Sequence, residues 1–135
     1  MANKKKKVIE GRRWYRYNFF GTTEITVPEK GTIADASIAN ISFAGIGVYS
    51  SVLIKKGEKV KLKITFIDSK GKVQKEYTAG KIDWVSKLGN SYLMGIFLDE
   101  ELNAEKQPVL IRHLAWLVNC YNFPQPYRDK RVSML

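Results

Sequence analysis

The chain has one cysteine, Cys120, and one histidine, His113, in 135 residues. A single cysteine excludes an internal disulfide framework and a Cys-x-x-Cys metal knuckle. It points to a reducing, cytoplasmic setting. A single histidine excludes a multi-histidine metal site and leaves one candidate at most for a histidine-based triad. Long apolar runs are missing as well. The longest, such as Leu114-Ala115-Trp116-Leu117-Val118, span four or five residues, against the ~20 needed to cross a membrane. No apolar stretch follows the basic N-terminus, so no signal peptide is expected. Neither GxxxxGK[ST] nor GxGxxG occurs, which removes the two common phosphate-cradling loops. No enzyme activity, metal or cofactor is expected. Acidic residues such as Asp68, Asp83 and Asp99-Glu100-Glu101 fall at turns or strand ends and read as solvated loop charge.

What the chain does have is positive charge. There are 23 Lys+Arg against 13 Asp+Glu, a net charge of +10. The first 16 residues hold Lys4–Lys7, Arg12, Arg13 and Arg16 against Glu10 alone. Such a field attracts phosphate-bearing partners. The lysine run by itself reads as a solvated, flexible tail over residues 1–8. The arginines differ, because they alternate with aromatics in Arg12-Arg13-Trp14-Tyr15-Arg16-Tyr17. The remaining composition, 44% hydrophobic and 27% charged, is that of one ordinary globular domain.

Periodicity predicts a mainly β body. Ile25 and Val27 alternate with polar residues up to Pro28, and Glu29-Lys30-Gly31 is turn chemistry. A small-residue strand is expected over 32–40, with Ile33 and Ile38 as its larger apolar members. The turn Ser42-Phe43-Ala44-Gly45 leads to a strand at Ile46–Tyr49. Residues 59–67 alternate cleanly, with Val60, Leu62, Ile64 and Phe66 on one face. Asp68-Ser69-Lys70-Gly71 then predicts a hairpin into a long strand, Val73 to Val85, bent near Gly80. Leu88-Gly89-Asn90 turns into the last strand, Ser91 to Leu98. Six strands with short turns suit a small barrel or sandwich. A helix is expected from Pro108, with Leu110, Leu114, Leu117, Val118 and Tyr121 facing the body. Trp84 and Trp116 are expected in the core. His113 and Cys120 are expected to be structural or surface residues.

Two motifs carry a family resemblance. Arg12 and Arg16 are the ends of an RxxxR motif. Asn40-Ile41-Ser42-Phe43-Ala44-Gly45 fits [D/N]xSxxG. Each is weak alone, but their order, spacing and β-rich sequel are specific. The chain resembles the PilZ domain family, bacterial receptors for cyclic di-GMP. Gly80-Lys81-Ile82-Asp83-Trp84 and Tyr92-Leu93-Met94-Gly95-Ile96-Phe97 look like the family's later strands. The likeness covers residues 9–120 and leaves 121–135 as a C-terminal tail. It implies a six-stranded antiparallel β-barrel with a C-terminal α-helix.

The resemblance also implies a ligand and its contacts. An arginine fork meets the O6 and N7 acceptors of guanine, stacks on purine faces and binds phosphate with charge-assisted bonds. Arg12 and Arg16 take these roles by resemblance, and Arg13 is an auxiliary phosphate contact. Asn40 and Ser42 supply amide and hydroxyl groups to a guanine edge. Gly45 provides a positive-φ turn or close backbone approach. Asn40 and Ser42 also have a plainer reading, as caps of their own turn. Gly80 and Gly95 are expected as strand bends. Gly11 stands where dimer-binding relatives carry an extra arginine, which favours one ligand per domain. The implied function is a receptor whose arginine segment changes conformation on binding and relays the signal to an unidentified effector protein. The alternatives are a small-barrel RNA- or DNA-binding module, or a protein–protein adaptor without a ligand.

Overall fold

A computed structural model describes residues 19–122. The expected tail 1–8, Arg12, Arg13, Trp14 and Arg16, and residues 123–135 of the C-terminal tail lie outside the described residues. Six strands follow in chain order: β1 Gly21–Val27, β2 Thr32–Ile41, β3 Gly45–Ser50, β4 Lys59–Ile67, β5 Val73–Leu88 and β6 Ser91–Leu98. One helix, α1, runs Pro108–Asn122. The strands close into a barrel in the order β1-β2-β3-β6-β5-β4, each neighbour antiparallel.

Turn chemistry sets the register of the long β4–β5 hairpin. Asp68 Oδ1 accepts from the backbone N–H of Lys70 and Lys72, both at 2.9 Å, while Gln74 Nε2 donates to Oδ2 at 2.8 Å. These bonds favour the ionised form and hold the Asp68 carboxyl below its usual range. Gly71 takes the left-handed conformation the turn requires, with φ 82°. The expected strand from Val73 extends to Leu88, three residues beyond Val85.

Alternation then fills the interior. Val60, Leu62, Ile64 and Phe66 of β4 are all buried, as are Ile25, Val48, Ile82, Met94 and Ile96 from other strands. Branched aliphatics dominate because they pack well on a pleated surface. Ile38 joins this core, but Ile33 does not and is 60% exposed. Of the expected helix face, Leu110 and Leu114 are buried and Leu117 packs against the core. Burying a leucine stabilises by about 1.5–3 kcal/mol, so these two side chains account for much of the docking of α1.

The start of α1 is fastened to the barrel by a carboxylate. Glu76 of β5 accepts from Val109 N at 2.9 Å and Leu110 N at 2.7 Å. It thereby caps two of the N–H groups that a helix leaves unpaired and places negative charge at the positive end of the dipole. Gln107 adds a bond from Nε2 to the Tyr77 carbonyl, 3.0 Å. Near this junction His113 sits among rings, 5.2 Å from Phe66, 5.7 Å from Phe19 and 5.5 Å from Trp116, on which it stacks. Trp116 itself is 45% exposed, not a core residue. It covers the histidine from outside the core.

Glu76→Ala should lower stability by about 1–2 kcal/mol through loss of the cap. A drop of several degrees in melting temperature without loss of barrel circular dichroism is the expected result. Burial lowers the His113 pKa from its ordinary 6.5, with the Asp68 charge opposing only in part. The unfolded chain therefore binds this proton more readily than the folded one. The corresponding stability is in place above about pH 6.5 and is lost as pH falls below it towards the folded value. His113→Phe should flatten the pH 7-to-5 segment of the melting-temperature profile while keeping the ring packing.

Candidate functional site

The [D/N]xSxxG motif spans the end of β2, the following turn and the start of β3. Ser42 makes the turn. Its N–H donates to the Gly45 carbonyl at 2.8 Å, and its hydroxyl donates to the same oxygen at 3.2 Å. The hydroxyl also accepts from Ala44 N at 3.3 Å and Gly45 N at 3.1 Å. Ser42 is 5% exposed, so its hydroxyl is buried and committed to the turn. This is the plainer capping role foreseen for it. The turn is tied onward: Ala44 O accepts from Leu98 N at 2.9 Å and Phe43 O from Leu102 N at 2.8 Å.

Of the two expectations for Gly45, positive φ or close backbone approach, the first is not met: among the described glycines positive φ occurs only at Gly31, Gly57, Gly71 and Gly89. The requirement at Gly45 is space. A Cβ there would lie 3.1 Å from the Ile96 carbonyl, closer than ordinary van der Waals contact. Gly80 and Gly95 are likewise not simple bends. A Cβ at Gly80 would lie 2.5 Å from the Phe97 carbonyl, and one at Gly95 would strike the Trp84 indole.

Asn40 reaches the outer wall through a β-bulge. Ala34, Ala36 and Ile38 point inward, so strict alternation would bury Asn40 as well. The register shifts between Ile38 and Asn40, where Ala39 is the extra residue. The shift turns Asn40 outward and Ile41, fully buried, inward. β5 repeats the device. Gly80 and Ile82 are buried, and the register shifts between Ile82 and Trp84, with Asp83 as the extra residue. Trp84 therefore points out, 36% exposed, where unbroken alternation would place it in the core.

The two displaced residues lie in one row. Asn40 pairs with Gly47, Gly47 with Gly95, and Gly95 with Trp84. The Asn40 amide rests on Gly47, with Oδ1 at 3.0 Å and Nδ2 at 3.3 Å from the position of a Cβ. The Trp84 indole rests on Gly95. Facing residues of an antiparallel pair lie about 5 Å apart, so amide and indole are held side by side, each covering a glycine. The tryptophan was expected in the core, and the sequence carries one sign against that. Gly80-Lys81-Ile82-Asp83-Trp84 opposes a β6 segment with glycine at 95, which leaves an indole-sized space on the outer wall.

A sequence profile of the PilZ domain matches residues 10–116. The chain belongs to the PilZ domain family. No curated protein sequence matches it. Thirteen solved chains match it, two of which are described. One is the Bacillus subtilis inhibitor of motility MotI/DgrA, 18% identical with a TM-score of 0.62. The match covers 80% of this chain and 52% of MotI, so the chain spans about half of that protein's length. The other is the PilZ domain of Escherichia coli YcgR, solved with c-di-GMP, 11% identical with a TM-score of 0.58. That match covers 89% of this chain and 96% of the other. The six-stranded barrel with its C-terminal helix is thus the PilZ fold. Among the described residues no cluster of His, Cys, Asp or Glu could hold a metal ion, and no helix is long and apolar enough to cross a membrane.

The wall geometry makes two expectations testable within this PilZ barrel. Gly95→Ala should lift the indole off the sheet and shift tryptophan emission to the red, with loss of stability. Ser42→Ala leaves Ala44 N and Gly45 N without their side-chain acceptor, at a cost of about 1–3 kcal/mol. Thermal melting should show that loss directly.

Proposed function

We propose that the protein is a cyclic di-GMP receptor that relays ligand binding to an effector protein. The observation that carries this reading is the Asn40–Gly47–Gly95–Trp84 row. A guanine stacked on the open face of Trp84 brings its hydrogen-bonding edge to the Asn40 amide beside it. Base-on-aromatic stacking contributes about 1–3 kcal/mol, and the amide offers both a donor and an acceptor. Membership of the PilZ family and the fold shared with the c-di-GMP-bound YcgR domain support the same ligand.

Charge comes from the arginine motif. Phe19 is buried and packs on Phe66. Arg16 precedes Phe19 by three positions, so their Cα atoms are at most about 11 Å apart. β2 runs on through Ile38–Ile41 beyond Ser37, the partner of Thr22 on β1. The chain before Gly21 therefore enters at the end of the barrel that carries Asn40 and the motif turn. Arg12 and Arg16, with Arg13 as auxiliary, clamp the ligand's phosphates and guanine edges against the wall. Ser42 and Gly45 act by shaping the turn, not by offering a free hydroxyl or a left-handed backbone. Closure of the arginine segment is the conformational change. The Phe43–Leu102 and Ala44–Leu98 bonds give the turn a direct connection to the segment that leads into α1.

Titration with labelled cyclic di-GMP against a random oligonucleotide tests the reading. Micromolar or tighter nucleotide binding, with weak and salt-sensitive oligonucleotide binding, is expected. Tight oligonucleotide binding alone would favour the nucleic-acid module, and binding of neither would favour the adaptor. Arg12→Ala and Arg16→Ala should each weaken cyclic di-GMP binding at least tenfold, since each removes charge-assisted contacts worth roughly 1.5–3 kcal/mol, and Trp84→Ala should weaken it about fivefold or more through lost stacking of about 1–3 kcal/mol. The ligand should also quench tryptophan emission, and Trp84→Phe should abolish most of the quench.

A further inference from the structure

The next outward row on the same wall is Gly45–Phe97–Lys81–Lys59. It begins at the motif glycine and runs beside the Asn40–Trp84 row. Lys59 and Lys81 face each other directly across β4 and β5, and both are exposed. Like charges so placed repel and destabilise a sheet. Three lysines of the described surface are relieved by carboxylates, in Lys30–Glu58, Lys63–Glu24 and Lys106–Glu100, and among the described strand pairs only Lys59 and Lys81 set lysine directly against lysine. No ion pair relieves Lys59 or Lys81 among the described residues. Neither Asp83, the exposed bulge residue two positions after Lys81, nor Asp99, whose N–H bonds to Ala79 O, forms an ion pair with either lysine.

The position of the pair matters as much as its charge. Lys81 pairs with Phe97, and Trp84 pairs with Gly95, two residues along the same face of β6. Lys81 is thus on the same strand as Trp84 and diagonal to Gly95, the glycine under the indole, at the usual diagonal spacing of about 7–8 Å. Phe97, 60% exposed, forms the apolar floor between Lys81 and Gly45. A base on Trp84 would therefore have two unneutralised ammonium groups at one edge and the Asn40 amide at the other.

We infer that Lys59 and Lys81 form an anion subsite that takes a phosphodiester group of the ligand whose base stacks on Trp84. The inference rests on the cyclic di-GMP reading and deepens it. It adds to the site a charge contribution that comes from the rigid barrel and not from the arginine segment. An anionic group between the ammoniums also relieves the repulsion they impose on each other, so binding and local sheet stability are coupled.

The test is calorimetric titration of cyclic di-GMP into the full chain, at low and at moderate salt. The Lys59→Gln/Lys81→Gln double variant is compared with a Lys55→Gln/Lys56→Gln control. Both lower the net charge by the same amount, and only the first touches the row. The expected result is at least a tenfold loss of affinity for the first pair, a shallower salt dependence, and less than a threefold loss for the control. Equal losses in both variants would show that only the overall field matters, and the subsite would fall. Wild-type affinity in the Lys59/Lys81 variant would overturn it as well. No cyclic di-GMP binding by the unaltered chain would instead bring down the receptor reading, and the subsite with it.

Discussion

A closed barrel of only six strands has an interior that its own side chains fill, so binding chemistry is confined to the outer wall and the rims. In this protein that constraint is felt most strongly at two positions. Ala39 and Asp83 are extra residues in β2 and β5, and each reverses the side-chain parity of the strand after it. Without them Asn40 would carry an amide into an aliphatic core, at a cost of several kcal/mol for an unpaired polar group, and Trp84 would be far too large for its inward place. With them both residues emerge on the same row of the same wall. The core stays aliphatic, because Ile41 takes the inward position that Asn40 gives up.

The two glycines under this row complete the arrangement. Gly47 and Gly95 are buried beneath Asn40 and Trp84, not exposed. Their lack of a side chain lets the amide and the indole lie against the sheet, and the sheet then restricts both side chains. In the proposed receptor, a guanine at the wall would meet groups already held in place, so little rotamer entropy would be lost on binding. The same sheet is continuous with the motif turn, and the turn bonds to Leu98 and Leu102. Recognition surface, turn and the approach to the helix are therefore parts of one hydrogen-bonded body.

The architecture was legible in the sequence because it follows from period-two alternation and turn residues. The span 59–67, the Asp68–Gly71 hairpin turn, the strand Ser91–Leu98 and the helix start at Pro108 were all readable in that way. The bulges were not. A single added residue leaves no mark on composition, and Trp84 follows Gly80 and Ile82 at the spacing of a core position. Hence its assignment to the interior failed for a definite physical reason. For Gly45 the sequence left two reasons open, left-handed backbone or close approach, and only the structure separates them: its φ is not positive, and a Cβ would crowd the Ile96 carbonyl. Asn40 and Ser42 were found by motif alone, and only the register separates their roles, one on the wall and one inside the turn. The lysine pair could not be seen at all, since Lys59 and Lys81 are 22 positions apart and meet only through strand pairing.

The division of the proposed site between wall and arginine segment follows from magnitudes. Fixing the backbone of the five residues from Arg12 to Arg16 costs roughly 5–10 kcal/mol at 1–2 kcal/mol per residue. Two arginines making charge-assisted contacts return about 3–6 kcal/mol. The segment by itself therefore comes out near zero or unfavourable, and closure on a ligand needs a partner surface that costs little to use. The rigid row supplies it: stacking on Trp84, the amide of Asn40 and, beside them, the ammoniums of Lys59 and Lys81. On this proposal the wall contributes most of the net binding, and closure of the segment, whose contacts return about what its ordering costs, contributes the change in shape. The proposed receptor would then respond to ligand without a large energy change in the barrel, which is the property that a signal relay requires.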